Sequence, residues 1–341
     1  MKNIEYIIVG DGFAGLFFAH QLIKNNIPFV LFSKGEKSAS QVSAGMVNPV
    51  VLKKFNTFDN AKNQIDTLKN TISEIEKYTP KNTLIEEPIH RVFHDEREKE
   101  TWLKKSENEN LKPFLNQDFT TIEEINNPFG CGIVNQSFRV NVPLFFESFF
   151  NYLENNGFLV KDPFNYSELD TENNIYQDYT FSKIVFAEGI SVRENPFFSH
   201  IPIIVNKGHH IRIKIENFTE TKTIKKKHFL FPNDNVNYYY GGTYDRENET
   251  TQIDDTAVSQ LENGLKEITQ NPYEITNIEY GFRPTTKDRK PIIGSHENHK
   301  NLFVFNGLGA RGLLNGAYYS KALFEHIEQG KDLPDEVKLM R

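Results

Sequence analysis

The chain has little sulfur chemistry available, because Cys131 is its only cysteine in 341 residues. One cysteine excludes an internal disulfide and a cysteine-built zinc site. Positive charge is also short. Lys and Arg number 39 against 46 Asp and Glu, giving a formal net charge of −7 and a pI near 5.9. That is the wrong sign for a surface that gathers phosphates nonspecifically, so nucleic acid is disfavoured as a partner. No window holds about 18 consecutive apolar residues, and Met1 leads into Tyr6-Ile7-Ile8-Val9 without a basic-then-hydrophobic signal segment. Neither a membrane span nor export is expected, and the cytoplasm is the default compartment. There is no internal repeat and no long disordered tail.

What is present points to an α/β chain. Its length exceeds an ordinary domain of about 100–200 residues, which predicts two interleaved domains. Residues 5–9 read as a buried strand, Gly10 to Gly15 break it, and Phe13, Leu16, Phe17, Ala19 and Leu22 recur at helical spacing. Ile27 to Phe32 reads as a second strand, so the segment predicts a right-handed crossover whose ligand sits at the strands' carboxyl ends. Thr57 to Lys77 is an amphipathic helix, Pro88 to Phe93 a strand, and Glu96 to Asn110 is too charged for core. Asn141-Val142-Pro143 caps a helix over 144–153, followed by the strand-like Phe158-Leu159-Val160. Residues 181–187 form another buried strand, whereas 201–215 and 228–243 alternate as an antiparallel sheet would. Pro291 to Gly294 and Asn301 to Phe305 return to the buried pattern, and a last helix is predicted from about Leu313 to Ile327.

Three motifs carry chemistry. Gly10-Asp11-Gly12-Phe13-Ala14-Gly15 is a G-x-G-x-x-G placed after a strand and opening a helix. Its glycines permit a sharp turn, close approach of a pyrophosphate and tight helix–strand packing. The acidic residue expected about 20 positions on, which would hold ribose hydroxyls, is replaced by Ser33, followed by Lys34; on this reading NADP stays open beside other dinucleotides. Gly307-Leu308-Gly309-Ala310-Arg311-Gly312 repeats the pattern before a helix opening at Leu313, too near the end for a second nucleotide unit. It suits either an anion or developing negative charge, with Arg311 nearby, or a tight packing turn. The third motif is Gly281-Phe282-Arg283-Pro284, where a guanidinium would clamp a substrate carboxylate or make a surface ion pair.

Taken together, the N-terminal fingerprint, Ser43-Ala44-Gly45-Met46, Val185-Phe186-Ala187-Glu188-Gly189, Gly241-Gly242-Thr243, Gly-Phe-Arg-Pro and Gly-Leu-Gly-Ala-Arg-Gly-Leu resemble the D-amino-acid oxidase family of flavoenzymes. Within it the chain is similar to glycine oxidase-like proteins and to the FAD domain of the enzyme that matures methylaminomethyl-uridine in tRNA. The resemblance implies a Rossmann-type FAD-binding domain (1–84, 131–200 and 276–341) interleaved with an antiparallel-sheet, α+β substrate domain (85–130 and 201–275). It implies FAD rather than NADP, its diphosphate at Gly10 to Gly15 and its isoalloxazine between Ala44-Gly45-Met46 and the turn from Gly307 to Leu313. Ala187, Glu188 and Gly189 fall among the cofactor-binding positions, and Ser33 stands where the family usually has an acid. Arg283 falls on the arginine that holds the substrate carboxylate. Cys131 lies outside these motifs, so the implied flavin is non-covalent.

The implied reaction is oxidation of a carbon–nitrogen bond in a small amino acid or secondary amine by hydride transfer to flavin, with oxygen or another acceptor taking the electrons. Positioning matters more than a dedicated base in such chemistry, so the lack of a catalytic triad is no objection. Two alternatives stand beside it: a tRNA-modifying oxidase acting on a carboxymethylaminomethyl group, and a non-catalytic FAD-binding protein. The first would use the one basic run, Lys222 to His228, which otherwise reads as a solvated hairpin tip. His90 and His94 share a strand face without a third ligand, so no metal is expected. His209-His210 and Tyr238-Tyr239-Tyr240 are candidates for the pocket border, the tyrosines more simply as strand packing.

Overall fold

The computed structural model describes residues 1–341. Its first layer is a six-stranded sheet in the order Leu159–Val160, Phe29–Phe32, Tyr6–Val9, Lys183–Phe186, Leu302–Asn306, Ile292–Ser295. The first five strands are parallel, and the last runs antiparallel to its neighbour. These strands are apolar at nearly every position because both faces are covered. Ile8, Leu31, Val185, Phe303 and Phe305 enter one core cluster with the helices α1 (Phe13–Lys24), α2 (Ala61–Glu76), α4 (Val142–Asn155) and α6 (Gly312–Gln329). Ile7, Val9, Val30, Phe32, Ile184, Phe186 and Val304 enter another, closed by Tyr176, Val192, Phe198 and Ile201. Tyr176 belongs to a small four-stranded sheet that joins Lys2–Asn3 to strands within 169–180, an element without a signal in the hydrophobic pattern. As predicted, Asn141 caps α4 by accepting the Leu144 N–H at 3.2 Å, with Pro143 in the first turn.

The second layer is an eight-stranded sheet: Tyr273–Thr285, Ile204–Ile215, Tyr238–Gly241, Phe229–Pro232, Thr223–Lys225, Ile89–Val92, Cys131–Val134 and Leu115–Thr120. All pairings are antiparallel except Thr223–Lys225 with Ile89–Val92. One face packs on α5 (Asp255–Leu265) through Ile211, Ile213, Leu230, Ile224, Tyr238, Tyr240, Leu261 and Leu265. This sheet takes in Cys131–Val134 and residues 276–285, beyond the limits drawn from sequence, because the strands that begin or end there continue their ladders.

Two local expectations are corrected. Residues 96–106 form a helix, α3, capped by Asp95, and its charged surface covers a fully buried Trp102. The basic run does turn a hairpin, at residues 226–228 between strands 223–225 and 229–232, but it is not freely solvated. Residues 223–225 are a central strand, Lys226 is buried with its ammonium donating to the Glu267 carbonyl at 3.1 Å, and exposed Lys227 pairs with the Glu267 carboxylate.

A three-stranded sheet joins the layers. It sets Phe138–Val140 between Met46–Val47 and Leu84–Ile85, with Arg139 directly across from Met46.

Candidate functional site

The first glycine turn lies at the carboxyl end of Tyr6–Val9. Gly10 has φ +109°, and a Cβ there would run into the Ala187 carbonyl; one on Gly15 would run into the Gly10 carbonyl. Gly12 is the N-cap of α1 in extended conformation and has no side chain of its own to cap the helix. Of the N–H groups in that first turn, Phe13's is taken by Ser40, which leaves those of Ala14 and Gly15 as the candidates for an anion at the strand ends. The ring of Phe13 packs on Phe146 with centroids 5.3 Å apart, and Ala14 is buried, so both side chains belong to the core. Ser40 accepts the Phe13 N–H at 3.1 Å.

Ser33 does not stand alone. Its hydroxyl donates to the Asp11 carboxylate at 2.6 Å and accepts the Gly35 N–H at 3.1 Å. Burial raises the Asp11 carboxyl above its ordinary value, the Ser33 hydrogen bond opposing it. The acid missing at position 33 is thus present from within the glycine turn itself. Lys34 reaches Ser191 at 3.1 Å.

Across the strand ends, Gly45 has φ +65°, and a Cβ there would strike the Val140 carbonyl; its own carbonyl accepts the Val140 N–H at 2.9 Å. This fixes Ser43, Ala44 and Met46 beside the crevice. The Ser43 hydroxyl is buried without a hydrogen-bond partner. Ala187 donates to the Val9 carbonyl at 2.7 Å, while the Glu188 carboxyl turns away to Tyr166 and Asn195, where burial raises it. Only the backbone of Glu188 borders the turn. Gly189 accepts from the Asn306 amide at 2.8 Å, Asn306 accepts the Gly307 N–H at 2.7 Å, and the Asn315 amide donates to the Leu308 carbonyl at 3.1 Å. Asn306 and Asn315 went unread in the sequence because single asparagines beside glycine turns carry no pattern.

The second glycine-rich turn combines tight packing with an open helix start. Gly307 and Gly309 take positive φ, and α6 opens at Gly312 without a side-chain cap. Leu308 and Leu313 are buried, Ala310 is exposed, and a Cβ on Gly312 would lie 3.0 Å from the Phe13 ring. The turn is therefore a close helix–helix packing device and an uncapped helix N-terminus at once. Arg311 lies on the Phe58 ring at 4.3 Å, near Tyr319 and Arg289, and burial lowers its pKa.

Arg283 projects from the eight-stranded sheet on the face opposite α5, where Asn206, Gly208 and His210 also point. Its guanidinium donates to the Asn206 side-chain oxygen and the Thr243 carbonyl, each at 3.1 Å, and lies 4.5 Å over the Tyr244 ring. No carboxylate neutralises it. A Cβ on Gly208 would collide with this guanidinium, and one on Gly242 would approach it to 3.2 Å, so the Gly241-Gly242-Thr243 segment clears its space. On the same face the His210 ring stacks on Tyr239 at 4.5 Å, and Tyr239 on Phe231 at 4.7 Å. His210, held neutral by burial, donates to Glu279 at 3.3 Å. That bond, with Lys37 and Arg212, holds Glu279 at about 2. The tyrosine triplet splits as strand alternation requires: Tyr239 inward, Tyr238 and Tyr240 into the α5 core. His209 is buried toward Tyr280. No group of three or more His, Cys, Asp or Glu is placed to hold a metal ion.

These features fit FAD. The remaining N–H groups at the α1 terminus suit a diphosphate, the Asp11–Ser33 pair suits ribose hydroxyls, and the orphaned Ser43 hydroxyl and the uncapped α6 terminus suit the polar edge of an isoalloxazine.

Comparison with known proteins agrees. The sequence pattern of the FAD dependent oxidoreductase family matches residues 5–326. The fold is similar to glycine oxidase from Geobacillus kaustophilus (16% identity, 100% of this chain and 99% of that one, TM-score 0.83). It is also similar to glycine oxidase from Bacillus cereus (18%, 96% of each chain, 0.80). A third similar structure is iminodiacetate oxidase from Chelativorans sp. BNC1 (15%, 99% and 100%, 0.76). No helix is long and apolar enough to cross a membrane. The chain belongs to the D-amino-acid oxidase family of FAD-dependent oxidoreductases.

Proposed function

We propose that this enzyme oxidises the carbon–nitrogen bond of a small amino acid or secondary amine whose carboxylate is held by Arg283. The observation that carries the reading is the Arg283 guanidinium itself, inward-facing, cleared by glycines and bonded only to neutral oxygens. A carboxylate accepts two parallel N–H bonds from such a fork. The enzymes of similar structure are named for glycine and iminodiacetate, both amino carboxylates, which supports the same reading. Bound FAD supplies the hydride acceptor. The chain supplies position: Arg283 fixes the carboxylate, Tyr239 and Phe231 form an apolar floor, and the first-turn N–H groups of α6 favour negative charge developing on the cofactor's edge. The electrons pass on to oxygen or another acceptor. A tRNA substrate loses its support, because Lys225 is partly buried, Lys226 is buried and Lys227 is paired with Glu267.

Anaerobic addition of glycine, sarcosine, D-alanine and D-proline to the FAD-loaded protein tests the reading through bleaching of the flavin bands. Arg283→Ala should raise KM for the reactive compound by about 100-fold while FAD stays bound. Equal kinetics in the variant would remove Arg283 from the site.

A further inference from the structure

The inward face of the eight-stranded sheet meets a second cation with no anionic partner. Arg139 is 8% exposed, and its Nε donates to the Thr223 hydroxyl at 3.1 Å. Its guanidinium lies 4.3 Å over the Phe231 ring. The backbone of Arg139 faces Met46, one of the residues flanking the flavin position, so the side chain crosses from that edge to the substrate sheet. Other cations nearby are satisfied: Arg91 by Glu98 and the Lys226 carbonyl, Lys225 by the Lys227 carbonyl. The one acid that bears on Arg139 is Glu87, which acts without a hydrogen bond and sits 3.9 Å from His90. A buried guanidinium without a counter-ion is destabilising, and an anionic ligand offsets that cost.

Arg139 and Arg283 stand at opposite ends of one aromatic floor. Phe231 under Arg139 is stacked on Tyr239 with planes 11° apart, and the Tyr239 hydroxyl and the Arg283 guanidinium both border Gly242. We infer that Arg139 is a second carboxylate anchor, so that the substrate is a dicarboxylic amine, one carboxylate on Arg283 and the other on Arg139, with the reacting C–N bond over the stacked rings between them. This rests on the amine-oxidation reading, and it adds a requirement for a second negative charge that Arg283 alone does not impose.

Two pairs of amines differ only by that charge: iminodiacetate against sarcosine, and D-aspartate against D-alanine. For each, anaerobic bleaching of the FAD-loaded protein gives kcat/KM, and the flavin spectral shift on adding succinate or acetate gives affinity without turnover. The expected result is a dicarboxylate preference of about tenfold or more in both measurements, lost in Arg139→Met and partly kept in Arg139→Lys, which retains the charge but not the fork. A circular-dichroism melt establishes that each variant is folded. Absence of preference in the unaltered protein overturns the inference. So does an Arg139→Met protein that loses affinity for FAD while keeping the preference, since Arg139 would then be holding the cofactor. If succinate binds preferentially but no amine bleaches the flavin, the amine-oxidation reading fails and the two-arginine anion site stands.

Discussion

At the scale of single residues, partners decide what each polar group does. Asp11 and Ser33 show this, because neither is an adequate ribose anchor by the usual pattern, yet their 2.6 Å hydrogen bond returns an acid to the end of the second strand. Glu279 is a second case with a measurable pH signature. The His210 hydrogen bond, aided by Lys37 and Arg212 against the cost of burial, depresses its carboxyl from 4.5 to about 2. A depressed acid stabilises the fold above its unfolded pKa and loses that contribution as pH falls toward the folded value, so the window runs from 4.5 down to about 2. Glu279→Gln should therefore be less stable than the parent by on the order of 2 kcal/mol at pH 7, the gap closing as pH drops below the usual carboxylate range. Urea midpoints at pH 7 and pH 3 check this; a gap that does not change with pH would show that Glu279 acts through packing alone.

Among the elements, α3 is the most instructive. Its sequence is charged along most of its length, which predicts a surface segment, and most of it is surface. What ties it down is one side chain. Trp102 is fully buried between Phe55 and Phe93, its indole N–H donates to the Asn116 carbonyl at 2.7 Å, and Gly132 leaves room beneath the ring. Trp102→Ala should cost about 3–5 kcal/mol, read as a lowered urea midpoint by circular dichroism. A loss below about 1 kcal/mol would mean that α3 is held by its salt bridges instead. Trp102 is the one large apolar side chain that α3 buries, its only other buried residue being Ser106, so there is no apolar periodicity and the pattern of charge dominates any reading of 96–110. The basic run at 222–228 misleads for a related reason: lysine stems lie along the sheet while their ammonium groups find carbonyls, as Lys225 and Lys226 do.

For the whole molecule, the two glycine-rich turns come from opposite ends of the chain and converge where α1 packs on α6, with Gly312 and Gly316 admitting Phe13 and Phe17. Because the cofactor crevice is assembled from such distant segments, FAD should stabilise the entire fold. At free FAD of about 100 times Kd the gain is about 2.7 kcal/mol, a rise of several degrees in Tm. An apoprotein whose melting point ignores added FAD would contradict the assembly of this site.

The strand, turn and helix from Tyr6 to Lys24, the capped α4 and the buried parallel strands were determined by sequence alone. Their signals are local: glycine spacing, an Asn-x-Pro start and runs of apolar residues that tolerate no other environment. The glycine and proline beside Arg283 marked the segment as special but left a carboxylate clamp and a surface ion pair both open; the tertiary structure shows the guanidinium paired with no carboxylate. Tertiary structure alone decided that Asp11 and Ser33 join in a hydrogen bond at the strand ends, that Tyr239 rather than Tyr238 or Tyr240 shares the face of Arg283, and that Arg139 reaches the Phe231 ring. Each of these depends on strand register or on contact between segments far apart in the chain. A one-residue change of register would reverse the face of every side chain, and only the closed packing of both sheets fixes which register holds.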